Sequence, residues 1–145
     1  MKKIVLALCC CLFLFTGCTS NEEKNGKVVE IGIDDAFSKM DKKDTFLLLI
    51  TRNKCEYCHL MHNMLQDTIM DHNTVIYNVV MDDSTTEALY ADHDKLKTRL
   101  EKPGTTPHTY YIKDGKVEKD MIGFDEEEPL AFWTWVKDNG FEDLQ

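Results

Sequence analysis

The chain has 145 residues, 43% of them apolar, and carries a formal net charge of −9. That length suits one domain, and seven Gly and three Pro exclude a collagen-like or low-complexity chain. The acidic balance argues against nucleic acid as a partner, because phosphate binding needs clustered Lys and Arg.

The first element is not part of the fold. Lys2 and Lys3 precede twelve consecutive apolar residues, Ile4–Phe15, followed by Thr16-Gly17-Cys18. A charged start, a short apolar run and a small residue before the cut describe a secretory signal. A spanning helix needs about 20 apolar residues, so the run is too short to be one. Leu14-Phe15-Thr16-Gly17-Cys18 resembles the bacterial lipobox, which implies a signal over residues 1–17 and an acylated Cys18 as the first mature residue. The expected location is the outer side of the cell membrane, with the lipid as anchor. Losing Lys2 and Lys3 takes the net charge from −9 to −11, so no basic patch competes with the lipid for that role. Residues 18–27 read as a lipidated Cys and a polar tether, and residues 28–145 as one domain. Cys9, Cys10 and Cys11 leave with the signal, so the domain holds only Cys55 and Cys58.

Val28–Ile33 is β-branched and reads as a strand. Asp34 is placed to cap a helix over Asp35–Met40. Thr45–Thr51 is a short, continuous apolar run, as in a strand buried on both faces. From Cys55 the period changes, and Leu60, Met61, Met64, Leu65, Thr68 and Ile69 form the stripe of an amphipathic helix. Thr74–Met81 is a further strand. Ser84 and Glu87 form a capping box for a helix through Leu89, Leu96 and Leu100, which Pro103-Gly104 ends. His108–Lys113 and Lys116–Gly123 flank Asp114-Gly115, a hairpin signal. Asp125 and Glu128 are placed to cap a last helix, with Glu126-Glu127-Glu128 complementing its dipole and Gly140 closing it. Phe132, Trp133, Trp135 and Val136 would be its packed face. The order βαβαβαββα predicts an α/β fold: a mixed sheet of parallel strands plus a C-terminal antiparallel hairpin, with helices on both faces.

Cys55-Glu56-Tyr57-Cys58 stands where a buried strand meets a helix. The spacing brings the two sulfurs within disulfide reach. Backbone N–H groups at the helix start favour a thiolate on Cys55, the expected nucleophile, and leave Cys58 to resolve the intermediate. Lys54 favours that thiolate and Glu56 opposes it. Two cysteines held in this way outside the cytoplasm are chemical rather than structural.

At this point the chain resembles the thioredoxin superfamily over Val28–Phe141. The resemblance rests on the strand followed by C-x-x-C on a helix, on Thr106-Pro107 opening the next-to-last strand, and on the hairpin ending near Gly123. It implies a thiol–disulfide oxidoreductase acting on protein dithiols and disulfides. It also implies a cis Pro107 against the cysteines and a Thr106 backbone that pairs with substrate, with Glu56, Tyr57, Thr106 and Pro107 lining the substrate site. Where thioredoxin has Trp before the first Cys, Gly-Pro between the pair and a buried Asp six residues upstream, this chain has Lys54, Glu56-Tyr57 and Leu49. The proton acceptor for Cys58 is therefore unassigned. Tyr before the second Cys is similar to the bacteriocin transport accessory group, which implies an accessory or chaperone role as the alternative.

Neither a cofactor nor a metal is expected, and the chain is expected to be a monomer. Cys58-His59 completes C-x-x-C-H, the c-type haem signature, but the β-rich surroundings argue against haem. Met61, His62 and Met64 make a soft-ligand cluster suited to Cu(I), although Met61 and Met64 lie on the packed stripe. Zinc on Cys55, Cys58, His59 and His62 would strain a single helical turn. His72, His93 and His108 are expected on the solvated surface, with His108 placed to face the substrate groove.

Overall fold

The computed structural model describes residues 25–144. The signal, Cys18 and most of the tether lie outside the described residues. In chain order the elements are β1 (Lys27–Glu30), α1 (Ile33–Asp41), β2 (Phe46–Arg52), α2 (Glu56–Thr68), β3 (Val75–Met81), α3 (Thr86–Lys97), β4 (His108–Lys113), β5 (Lys116–Ile122) and α4 (Ala131–Asp138), with a 3-10 turn at Ile69–Asp71. No helix among the described residues is long and apolar enough to cross a membrane.

The five strands form one mixed sheet in the order β1-β3-β2-β4-β5. β1 and β2 both run parallel to β3, whereas β4 runs antiparallel to β2 and β5. Burial of β2 on both faces explains its unbroken apolar run. Phe46, Leu48 and Ile50 face α1 and α3 with Ala36, Met40 and Leu96. Leu47 and Leu49 face α2 and α4 with Met61, Leu65, Phe132 and Val136. Each fully buried side chain of this size contributes roughly 1.5–3 kcal/mol. Those two clusters fix the height and angle at which β2 delivers the chain to α2.

Three boundaries differ from expectation, each for a local reason. β1 stops at Glu30, and α1 begins at Ile33 after Gly32 rather than being capped by Asp34. Ile33 is buried in the α1–α3 cluster, which pulls it into the first turn. Asp34 then sits inside the helix, 2.7 Å from the Lys95 ammonium. The α3 cap is Thr85, whose hydroxyl accepts the Ala88 N–H at 3.1 Å. Ser84 precedes that cap in the loop, where its N–H donates to Asp82 Oδ1 at 2.9 Å. Helix α4 begins at Ala131 instead of near Asp125. Pro129 disfavours helical backbone at Glu128, and Asp125 Oδ1 instead accepts the Glu127 and Glu128 N–H groups at 2.9 and 3.2 Å. The three glutamates therefore precede the helix instead of filling its first turn.

The hairpin at Asp114-Gly115 has φ of 50° and 76° at the two positions, the left-handed pair that a tight hairpin turn requires. A Cβ at Gly115 would meet the Met40 carbonyl oxygen at 2.0 Å, so the turn is also pressed against the end of α1.

Candidate active site

Strand β2 ends at Arg52, and Cys55 becomes the N-cap of α2 in extended conformation. Cys55 and Cys58 are joined by a disulfide with Cα atoms 5.2 Å apart. Both are nearly buried, at 7% and 4% exposure. The Cys58 N–H donates to Cys55 Sγ at 3.2 Å, and the His59 N–H donates to the Cys55 carbonyl at 3.2 Å. The Cys58 N–H, one of the free donors of the helix start, is thus spent on Cys55.

The Thr106–Pro107 peptide is cis, and it lies against this cysteine. The Thr106 hydroxyl donates to Cys55 Sγ at 3.4 Å, and the Thr106 carbonyl oxygen is 3.5 Å from the same sulfur. Pro107 is buried and opens β4, where its missing N–H costs no ladder bond. Two donors converge on Cys55 Sγ, so a negative charge left there by reduction is stabilised by hydrogen bonds as well as by the helix start.

Lys54 does not point its charge at this sulfur. Its Nζ donates to the Asp83 carbonyl at 2.6 Å, and its backbone N–H donates to Asp83 Oδ2 at 2.6 Å. That double contact ties the loop before Cys55 to the loop after β3. Glu56 is exposed on the first turn of α2. Tyr57 is 47% exposed and lines a surface groove with Met121, Gly123, Phe124 and the acidic segment after β5. His59 is exposed, with Nε2 2.7 Å from the Asn53 carbonyl oxygen. Met61 and Met64 are buried in the α2–α4 cluster, as fillers of the core. Trp133 packs there too and donates its indole N–H to the Thr68 hydroxyl at 2.8 Å.

The histidines correct the sequence reading. His108 is neither solvated nor facing a groove; it is 0% exposed. Its Nε2 lies 2.7 Å from Asp120 Oδ2, and its Nδ1 lies 2.7 Å from the Tyr110 hydroxyl and 3.2 Å from the Lys102 carbonyl. The Tyr110 hydroxyl in turn donates to the Glu101 carbonyl at 2.6 Å. Burial above all, then the nearby Asp120 and Glu101 charges, push that hydroxyl well above its ordinary pKa, so it stays a protonated donor at neutral pH. This network anchors the segment that leads into Pro107. His72 is half-buried and stacks on Trp133 with ring centroids 3.5 Å apart, and His93 is half-buried as well.

A polar cavity also escaped the sequence reading. It lies behind Cys58 and is lined by Leu49, Thr51, Asn78, His62 and Glu30 among others. The helical spacing of Cys58 and His62 was the available signal, since residues four apart share a face.

Among solved structures, thioredoxin O2 from Arabidopsis thaliana in its oxidized state is similar over 78% of this chain and 94% of its own, at 16% identity and a TM-score of 0.54. Thioredoxin O1 from the same plant is similar over 79% and 97%, at 18% identity and a TM-score of 0.53. A chain of the ferredoxin:thioredoxin reductase and thioredoxin f2 complex is similar over 79% of this chain and 98% of its own, at 15% identity and a TM-score of 0.53. No family profile and no curated protein matches the chain. The architecture is the thioredoxin fold, with its cysteine pair at the β2–α2 junction and its cis proline before β4.

Proposed function

We propose that this protein is a thiol–disulfide oxidoreductase, tethered outside the cytoplasm by lipid on Cys18, that exchanges disulfides with cysteines of exported proteins. The observation that carries the reading is the convergence of Cys55, Cys58 and cis Pro107, with Thr106 touching the Cys55 sulfur. In the exchange, a Cys55 thiolate attacks one sulfur of a substrate disulfide and expels the other as a thiolate. Cys58 then attacks Cys55 Sγ, freeing the second substrate thiol and leaving the Cys55–Cys58 disulfide. The chain loses two electrons and the substrate gains them; the reverse sequence oxidises a substrate dithiol. Thr106 and Pro107 border the substrate segment on one side, and Glu56 and Tyr57 on the other. Extended substrate backbone pairing with Thr106 gives affinity without sequence restriction. Reduction of a protein disulfide by the mature protein, lost in Cys55→Ser, tests the reading.

The anchor has its own test. Lys2, Lys3, the apolar run and Gly17 before Cys18 support it. Cys18→Ala is expected to move the protein from the membrane to the soluble fraction. Unchanged membrane fractionation would refute a lipid on Cys18.

A further inference from the structure

Cys58 must lose a proton before it attacks, and the strand beneath it supplies no carboxylate. Leu49 occupies that position and is buried on the α2 side. Asn78, paired with Leu49 across the sheet, spends its side-chain oxygen on the Thr51 hydroxyl at 3.0 Å. Neither takes up a proton.

A cavity of about 290 Å³ opens on the same side, between the sheet and the first turns of α2, and Cys58 lines it. Water occupies roughly 30 Å³ per molecule in the liquid, so this space admits a short chain of waters. Its charged and titratable lining is Glu30 from β1, Arg52 from the end of β2, and His59 and His62 from α2; β3 contributes Asn78 and Val80, which do not titrate. Arg52 is a donor only. His59 follows Cys58 directly and so points about 100° away around the helix, with Nε2 against the Asn53 carbonyl. Glu30 pairs with Asn78, which pairs with Leu49, placing it two strands, about 10 Å, from the strand position under the cysteines. His62 stands one turn after Cys58 on the same helix face, where Cβ atoms are about 5–6 Å apart. Imidazole is also the side chain suited to taking and returning a proton near neutral pH.

Resting on the exchange reading, we propose that His62 is the proton acceptor for Cys58, reached through water in this cavity. In the mixed disulfide the Cys58 thiol proton passes to the His62 ring. The Cys58 thiolate then bonds to Cys55 Sγ, the Cys55–substrate bond breaks, and the substrate leaves as a thiolate. The imidazolium returns its proton to solvent. The fold thereby moves the acid–base function from a strand carboxylate to the helix that carries the pair.

The test follows both steps by acid quench and mass spectrometry, with the reduced mature protein, lipidated at Cys18, and the aryl disulfide dithionitrobenzoate. The first step forms the Cys55–aryl mixed disulfide, and the second converts it to the Cys55–Cys58 bond. His62→Gln is expected to slow the second step about a hundredfold at neutral pH, the lower end of general-base effects, and to leave the first unchanged. The pH profile of the second step should differ between the unsubstituted protein and His62→Gln, while that of the first step should not. His62→Ala should behave likewise and regain part of its rate on adding free imidazole. An unchanged second step, equal slowing of both steps, or transfer of the effect to Glu30→Gln would overturn the assignment. An unsubstituted protein that stops at the mixed disulfide would refute the exchange reading, and the assignment with it.

Discussion

Cys55→Ser is expected to reduce disulfide exchange to background, a loss of about a thousandfold or more, as removal of an attacking group does. A serine hydroxyl neither ionises at neutral pH nor forms a bond that Cys58 can resolve. The substitution should leave the fold standing. The disulfide closes only a four-residue loop, for which the chain-entropy estimate is about 2 kcal/mol, and the two apolar clusters flanking β2 do not include it. Turnover of a protein disulfide measured beside a denaturant melt separates the two effects. A Cys55→Ser protein that retains exchange would refute the assignment of Cys55 as nucleophile.

His108→Leu is expected to destabilise the domain by about 3 kcal/mol. Each buried polar group left without a partner costs roughly 1–3 kcal/mol, and leucine offers nothing to the Lys102 carbonyl, the Tyr110 hydroxyl or Asp120. Asp120 is about half exposed and can turn to water, which keeps the estimate below that for a fully buried ion pair. The Tyr110 hydroxyl keeps its Glu101 partner. The loss therefore falls mainly on the segment approaching cis Pro107, so exchange should weaken together with stability. A shift in the urea midpoint at constant slope would report the stability change. A midpoint equal to that of the unsubstituted protein would show that the network does not hold this segment.

Much of this was legible in the sequence because local and global signals agreed. The unbroken run Thr45–Thr51 marked a strand covered on both faces, and the stripe from Leu60 to Ile69 marked the helix behind the cysteines. Cys55-Glu56-Tyr57-Cys58 sat at their junction. The buried role of His108 was hidden by register. An Asp-Gly hairpin counted outward without interruption would pair Tyr110 with Lys119. A bulge between Tyr111 and Ile112 shifts the pairing, so Tyr110 faces Asp120 instead. That one-residue shift turns the Asp120 side chain to the face where His108 and Tyr110 lie, and no pattern in the strand announces it. The cavity behind Cys58 was hidden for a different reason: Glu30, Thr51 and Asn78 come from three strands, and only the sheet order brings them beside His62.

The equilibrium of the Cys55–Cys58 pair with glutathione bears most directly on the central claim. The mature protein, lipidated at Cys18, would be brought to equilibrium with mixtures of reduced and oxidised glutathione, quenched in acid, and its two states weighed by mass spectrometry. A working exchange pair should pass between dithiol and disulfide in one two-electron transition, with a midpoint between about −270 and −120 mV, the span of this chemistry. A bond that stays closed below about −300 mV, as structural disulfides do, would contradict the account.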